Sequence, residues 1–384
     1  MLAFELPPFN SGGLGEACLG LTKALYKLGY AITFLLPKKL PYNHSHLKLI
    51  FADELLNDEE KRRLSLLREE KFISTYDIRK IFQMEELNFE EITELLLKRA
   101  LLEDFDIIHA HDWMTFRAAV KIKQNSGKKL IVQVHSTEVD RSPLDTLDME
   151  KYNIEKYGME NADIVVTVSN YSKQLIHNFY GIPLEKIHVV YNASNLEELK
   201  EVPKLKLKGP IIMFLARITY QKGPNHFLQI AKKVVEKKPE ALFVVVGDGD
   251  MYKEMVTNAC SMGLSGNIIF AGFLRGIQKE IILNSSDLFL MPSISEPFGI
   301  VALEAAHFGV PVIISRQSGV SELLQGAVVA DFWDIDLMVK EILRLTNNRK
   351  ESRKLKELLK KDLEKISWDS SALQCEEAYN KLMN

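Results

Sequence analysis

The sequence predicts an α/β protein made of two doubly wound, Rossmann-like domains, and three observations carry that prediction. Its 384 residues suffice for two domains that each bury a core. Short apolar runs alternate with helical stretches through both halves, the pattern of βαβ units on a parallel sheet. Between the halves, Glu197 to Gly209 is polar and lysine-rich with one proline, as a domain boundary should be. The expected domains are therefore residues 1–205 and 206–367, followed by a last helix over 368–384.

Composition removes several classes of function. At 46% apolar and 26% charged, the chain reads as an ordinary globular protein. A net charge of −3 gives no electrostatic footprint for nucleic acid. No basic segment precedes an apolar stretch at the N-terminus, and no run approaches the roughly 18 apolar residues of a membrane span. Cys18, Cys260 and Cys375 are odd in number and far apart, so their spacing indicates neither a disulfide framework nor a zinc site. Reduced thiols in the cytoplasm are the simplest account. The lysines of the linker, and the run Arg349 to Lys365, offer a peripheral contact with acidic lipid head groups. Interleaved acids in the second run favour a solvated surface instead.

In the first half, Leu2 to Leu6 reads as a very short strand stopped by Pro7-Pro8. Asn10-Ser11-Gly12-Gly13-Leu14-Gly15-Glu16 then opens a helix reaching about Leu28 and closed by Gly29. Gly12 and Gly13 let backbone approach a diphosphate with the helix dipole behind it; a plain tight turn is the competing reading. A dinucleotide fingerprint fails on spacing, because Cys18 stands where its third glycine belongs. Ala31 to Leu36 and His46 to Phe51 are strands, and Asp53 to Glu70 is a charged helical segment. An amphipathic helix follows over Ile92 to Leu102. The strand Asp106 to Asp112 delivers Asp112 and Trp113 to its carboxyl end, where open α/β sheets bind ligands. His109 inside it reads as a core histidine satisfied by hydrogen bonds. Leu130 to Val134 likewise delivers His135, a donor to a sugar hydroxyl or a loop-stabilising side chain. Glu138, Asp140 and Arg141 read as a loop. Helices near 146–160 and 170–179 alternate with strands Ile164 to Val168 and Ile187 to Val190.

In the second half, Ile211 to Leu215 is a strand leading into Ala216-Arg217, and Leu242 to Val246 is a strand leading into Gly247-Asp248-Gly249-Asp250. An aspartate pair so spaced invites a metal, but the same triplet recurs at Asp104–Asp106 and Asp334–Asp336, and no metal is assigned. Asn267 to Phe270 and Leu288 to Met291 are strands. After the second, Pro292, Pro297 and Gly299 turn the chain into a helix over Ile300 to Phe308, and Val310 to Ile314 is the next strand. The amides near Phe298, Gly299 and Ile300 can receive an anion. Glu296 and Glu304 beside them need another target, and sugar or ribose hydroxyls are good ones. The bland alternative makes one a helix-dipole acid and the other a solvated surface acid. Leu337 to Leu345, Ser352 to Ile366 and Trp368 to Leu382 are helices.

The segment Ser295-Glu296-Pro297-Phe298-Gly299 through Glu304 resembles the paired-glutamate stretch of retaining glycosyltransferases of the GT-B fold. Ala216-Arg217-Ile218-Thr219-Tyr220-Gln221-Lys222-Gly223 resembles that family's arginine-to-lysine run, with alanine for its first glycine. Val246-Gly247-Asp248-Gly249, Gly12-Gly13-Leu14-Gly15-Glu16, His109-Ala110-His111-Asp112-Trp113 and Val134-His135-Ser136-Thr137-Glu138 match further motifs in family order. Together they span nearly the whole chain and are similar to glycogen and starch synthases and to family-four-type glycosyltransferases.

The resemblance implies two domains facing across a cleft, with the final helix packing back onto the first. It implies His135, Arg217, Lys222 and Glu296 as catalytic residues. Gly12, Gly13, Gly247, Phe298, Gly299, Ile300 and Glu304 would hold the donor, and Glu16, Asp112 and Trp113 would border the acceptor. Arg217 and Lys222 would meet the charge that develops on a departing diphosphate. Expected partners are a nucleotide sugar, UDP- or ADP-glucose first, and a glucan or other sugar acceptor, without cofactor. Two features depart from the family: Asn10 replaces the lysine of bacterial glycogen synthases, and the first strand is short, as if the start were late or clipped. A lipid or small-molecule acceptor is the first alternative. A lapsed, non-catalytic sugar-nucleotide-binding protein is the second, and a nicotinamide oxidoreductase lacks its fingerprint.

Overall fold

A computed structural model describes residues 1–10, 12–56, 89–194, 202–205 and 207–383. Ser11, most of the charged segment expected over Asp53 to Glu70, and part of the linker expected over Glu197 to Gly209 lie outside the described residues. The chain divides into two units. One comprises Met1–Val139, Leu144–Asn192 and Trp368–Asn384, and the other comprises Asp140–Pro143 and Ala193–Ser367.

The first unit begins at α1 (Gly13–Lys27), whose inner face buries Cys18, Leu21 and Leu25. β1 (Thr33–Leu36) and β2 (Lys48–Phe51) pair in parallel. After α2 (Phe89–Ala100), the strands β3 (Ile107–His111), β4 (Lys129–Val134), β5 (Ile164–Thr167) and β6 (Ile187–Val189) pair in parallel and in sequence order. Their apolar runs are nearly continuous because parallel sheets are covered on both faces. α3 (Trp113–Ser126), the single turn α4 (Glu138–Arg141, of which Asp140 and Arg141 are assigned to the second unit), α5 (Met149–Asn161) and α6 (Asn170–Tyr180) connect them. Asp148 and Ser169 start α5 and α6 by accepting hydrogen bonds from first-turn amides.

Two expectations fail locally. The first strand, expected over Leu2 to Leu6, is reduced to Leu2, which bridges Leu35 and Ala110 and so joins β1 to β3. Its amide donates to His109 O at 2.8 Å, and its carbonyl accepts from His111 N at 2.9 Å. Beyond it, Glu5 turns to accept from the Gly15 amide, and Pro7 and Pro8 have no N–H for a ladder. The loop expected over Glu138 to Arg141 is α4, because the buried Glu155 carboxylate accepts from Glu138 N at its start.

The second unit contains β7 (Ile211–Leu215), α7 (Pro224–Lys237), β8 (Leu242–Val246), α8 (Tyr252–Ser261), β9 (Ile268–Gly272) and α9 (Gly276–Ser285). It continues through β10 (Leu288–Met291), α10 (Ile300–His307), β11 (Val312–Ser315), β12 (Val328–Ala330), α11 (Ile335–Asn347) and α12 (Arg349–Leu363). All six strands are parallel in the order β12-β11-β10-β7-β8-β9. β12 escapes a sequence reading because three residues at a sheet edge carry no period. The chain leaves β7 toward β8 on one side, and leaves β10 toward β11 on the other. The loops after β7 and β10 therefore flank the switch point where doubly wound sheets bind ligands. Leu2 and β3 hold the equivalent position in the first unit.

The last helix, α13 (Trp368–Met383), belongs to the first unit and packs along α1. Cys375, Ala378 and Tyr379 enter the core that holds Cys18, Leu21 and Leu25. Among the described residues no helix is long and apolar enough to cross a membrane.

Candidate active site

The site in the second unit grows from the two switch-point loops. After β7 the chain runs through Ala216 and Arg217 to a 3-10 turn at Tyr220–Lys222. After β10 it runs through Pro292 to Gly299 before α10 begins. Gln221 ties the loops together: its carbonyl accepts from Ile294 N at 2.8 Å and from Ser295 N at 3.3 Å. A third loop closes on the second, with Glu296 N donating to Gln317 O at 2.9 Å, Gly319 N to Glu296 O at 2.9 Å and Val320 N to Phe298 O at 2.7 Å. The Glu296 backbone is thus held on both sides, and its side chain is aimed by the frame rather than by chance.

That side chain meets Lys222. Nζ of Lys222 lies 2.7 Å from Oε2 of Glu296, with the two side chains only 18% and 10% exposed. A second ion pair lies on α10: Glu304 Oε1 is 2.8 Å from Nζ of Lys279, with side-chain exposures of 14% and 23%. Glu304 is therefore not the solvated surface acid of the bland reading, and its partner Lys279 on α9 is one that no motif indicated. Arg217 is exposed on the loop after β7, and Phe298 is buried. Gly247 donates its amide to Gly272 O at 2.8 Å. Phe273, beside it in sequence, is exposed with the Arg275 guanidinium 4.9 Å from its ring centre.

Two glycines are required by this geometry. Gly299 caps α10 with φ 107 and ψ 52, and a Cβ there would come within 3.1 Å of Met291 Cε and 3.3 Å of Glu296 Cγ. Gly223 follows Lys222 with φ 68, and a Cβ there would sit 2.1 Å from Pro292 O. The first lets the N-terminus of α10 start beside Glu296, and the second lets the β7 loop lie against the β10 loop. The first two amides of α10, at Ile300 and Val301, have no carbonyl inside the helix to bond, whereas Ala302 N already donates to Gly299 O at 3.0 Å.

In the first unit, Gly12 caps α1 and Gly13 begins it. Asn10 Nδ2 donates to Gly12 O at 3.1 Å and to Glu16 Oε1 at 3.2 Å, so Asn10 holds the turn and the first-turn acid together. At the end of β3, Asp112 takes φ 60 and accepts the His135 amide on Oδ1 at 2.7 Å. Trp113 packs against Phe89 with ring centres 5.7 Å apart. His135 is half-buried, and its Nε2 lies 3.1 Å from Nδ1 of His111. Burial pushes the His135 imidazole down to about 3, so it is neutral near pH 7. His109 is the satisfied core residue expected, with Tyr379 Oη at 2.8 Å on Nδ1 and Gln133 Oε1 at 2.9 Å on Nε2. No motif reading distinguishes His111, although a strand period of two places it on the face His109 occupies.

Comparison with known proteins adds the family. Residues 11–198 match the family model described as Glycosyltransferase Family 4, and residues 195–362 match Glycosyl transferases group 1. An uncharacterized glycosyltransferase of Methanocaldococcus jannaschii is 27% identical, covering 100% of this chain and 98% of its own. A glycogen synthase of Mycobacterium tuberculosis is 24% identical, covering 84% of this chain and 78% of its own. Sucrose-phosphate synthase of Thermosynechococcus elongatus superposes with a TM-score of 0.79 at 18% identity, covering 100% and 98% of the two chains. With a doubly wound sheet in each unit and a matching family model over each half, the chain belongs to the glycosyltransferases of the GT-B fold, similar to the glycogen and starch synthases.

Proposed function

We propose that this chain transfers a hexose, glucose foremost, from a nucleoside-diphosphate sugar to a sugar acceptor with retention of configuration and without a metal ion. The observation that carries this reading is the Lys222–Glu296 pair at 2.7 Å, set beside the glycine-capped start of α10 at the switch point of its sheet. A lysine and a helix N-terminus suit the diphosphate. A carboxylate suits the hydroxyls of the sugar attached to it, and Glu304, held by Lys279, suits the ribose.

In the transfer, the bond from the sugar's anomeric carbon to the β-phosphate oxygen breaks, and a bond to the acceptor oxygen forms on the same face. The acceptor's proton passes to the departing phosphate. Arg217 and Lys222 meet the negative charge on that phosphate, which grows toward the transition state. Neutral His135 contributes a hydrogen bond to the donor sugar, and Asp112 keeps its backbone in place. Asp112 and Trp113, together with Glu16, border the acceptor. Three free cysteines fit a reducing compartment, and we place the reaction in the cytoplasm.

A glucan acceptor has the support of the glycogen synthase relative. Asn10 favours a second reading: it is engaged with Gly12 and Glu16, where bacterial glycogen synthases carry a lysine, so a lipid or small-molecule acceptor follows naturally. The deciding experiment measures nucleoside diphosphate release from UDP- and ADP-sugars, with and without glycogen. Release stimulated by glycogen supports the first reading, and release only with another acceptor supports the second. No release from any nucleotide sugar refutes both.

A further inference from the structure

Three side chains with metal-binding atoms converge in the first unit from separate elements. Cys18 lies on α1, His111 ends β3, and His135 follows β4. The Cys18 thiol and one ring nitrogen of each histidine all lie within 4.8 Å of one another. Cys18 and His111 are buried, and half-buried His135 is the side from which an ion can arrive. The second observation is an unpartnered atom: Nε2 of His111, in a residue only 1% exposed, has no hydrogen-bond partner. A buried imidazole nitrogen left so is costly, and an ion bound to the histidine relieves it.

We infer that Cys18, His111 and His135 form a binding site for a borderline-soft divalent cation of the zinc and cobalt type. One thiolate and two imidazoles are the donors such ions prefer, and three protein ligands leave a fourth position open. Ligand atoms around a tetrahedral zinc lie about 3.3–3.6 Å apart, from bond lengths of about 2.0–2.3 Å. The 3.1 Å contact between Nδ1 of His111 and Nε2 of His135 holds the two rings side by side and is not itself a ligand pair, since Nε2 is the His111 nitrogen left open. The cluster as a whole has to contract by about an ångström. The charged groups that act on the Cys18 thiol are the carboxylates of Asp112 and Glu5 and the N-terminal amine of Met1, which burial pushes down to about 5 and so leaves neutral near pH 7. Asp112 fixes the His135 backbone, and the His109 ring stacks on His111 with centres 4.5 Å apart.

Binding itself is independent of the proposed transfer reaction. Its consequence rests on that reading: an ion on His135 withdraws the imidazole from the donor sugar, so the site is inhibitory. The test uses the full chain carrying Cys260→Ser, which removes the exposed thiol, titrated anaerobically with Co²⁺ alone. The expected result is a one-to-one end point with a thiolate-to-cobalt charge-transfer band and the intense visible bands of four-coordinate cobalt. Cys18→Ala abolishes the charge-transfer band. His111→Gln weakens binding by more than the roughly 10–100-fold that loss of an outer partner costs. Circular dichroism checks that each variant is folded, and Cys18→Ser serves where alanine does not fold. Absence of a saturable cobalt spectrum, or an unchanged spectrum in folded Cys18→Ala or Cys18→Ser, overturns the site. Failure to find any nucleotide-sugar activity leaves the cobalt spectrum untouched and bears only on the transferase reading.

Discussion

Removing either member of the Lys222–Glu296 pair separates stability from activity. At 2.7 Å and an effective dielectric constant of about 20, the gross Coulomb attraction is about 6 kcal/mol. Desolvation of two side chains that are 18% and 10% exposed takes back most of it. The measurable coupling is therefore about 0.5–3 kcal/mol, the range found for contacting pairs in double-mutant cycles. Glu296→Ala leaves an ammonium largely shielded from water, and Lys222→Ala leaves a carboxylate so. Each single variant is expected to lose about 1–3 kcal/mol in urea unfolding, while the double variant loses less than the sum of the two. Turnover behaves differently. Each single variant loses about 10²–10³-fold in kcat, the scale of a missing transition-state donor, and the double variant recovers none of it. Urea midpoints for the four proteins, with diphosphate release for the same four, give both readouts. Strictly additive stabilities refute the structural argument, and near-full turnover in either single variant refutes the site assignment.

The remaining predictions concern the frame and the pH response. Gly299→Ala places a side chain at φ 107 against Glu296 Cγ, so we expect a loss of about 1–3 kcal/mol and a lower kcat; an unchanged urea midpoint contradicts this. Gly20→Ala builds a Cβ 2.1 Å from the Trp368 ring, which forces α1 and α13 apart at about 1–3 kcal/mol, read from the urea midpoint; an unchanged midpoint denies the close approach. Burial pushes His109 down to about 3 from an ordinary 6.5, so the unfolded chain binds its proton first as pH falls. The stability His109 contributes is complete above pH 6.5 and is withdrawn at up to about 1.4 kcal/mol per pH unit down toward 3. Unfolding at pH 7 and pH 5 should show a shallower pH dependence in His109→Gln than in the parent protein, and equal slopes reject the assignment.

What the sequence makes legible follows from the range over which each feature is decided. Runs such as Leu242–Val246 and Leu288–Met291 are strands because four or five consecutive apolar residues can only be buried on both faces of a parallel sheet. Gly299, Gly223 and their flanking prolines announce turns for local steric reasons. Leu2 fails as a strand because its neighbours Pro7 and Pro8 and the inward turn of Glu5 act over a few residues that a hydrophobic count cannot weigh. The Lys279–Glu304 pair was hidden for another reason. Twenty-five positions separate its members, and nothing in Gly276–Ser285 marks the one lysine that α10 receives. Cys18, His111 and His135 show the same limit, since their meeting depends on how α1 crosses two adjacent strand ends.

Charge neutrality in the second unit connects these observations. Two half-buried lysines, the buried Glu296 and the half-buried Glu304 stand around the start of α10, and each lysine is matched by one acid. Without a donor, each charge needs its partner, because an unpaired charge at that depth is expensive. On the proposed reading, an arriving diphosphate would compete with Glu296 for Lys222, and Glu296 would then be released toward sugar hydroxyls, which are better partners for a carboxylate than a second anion. Under the proposed reading the ion pair is thus the resting state of the same groups that hold the donor. An uncharged sugar offers Lys222 no anion and cannot make the exchange favourable, so binding of the free hexose should be far weaker than binding of the nucleotide sugar. The nucleoside diphosphate alone should capture most of the affinity.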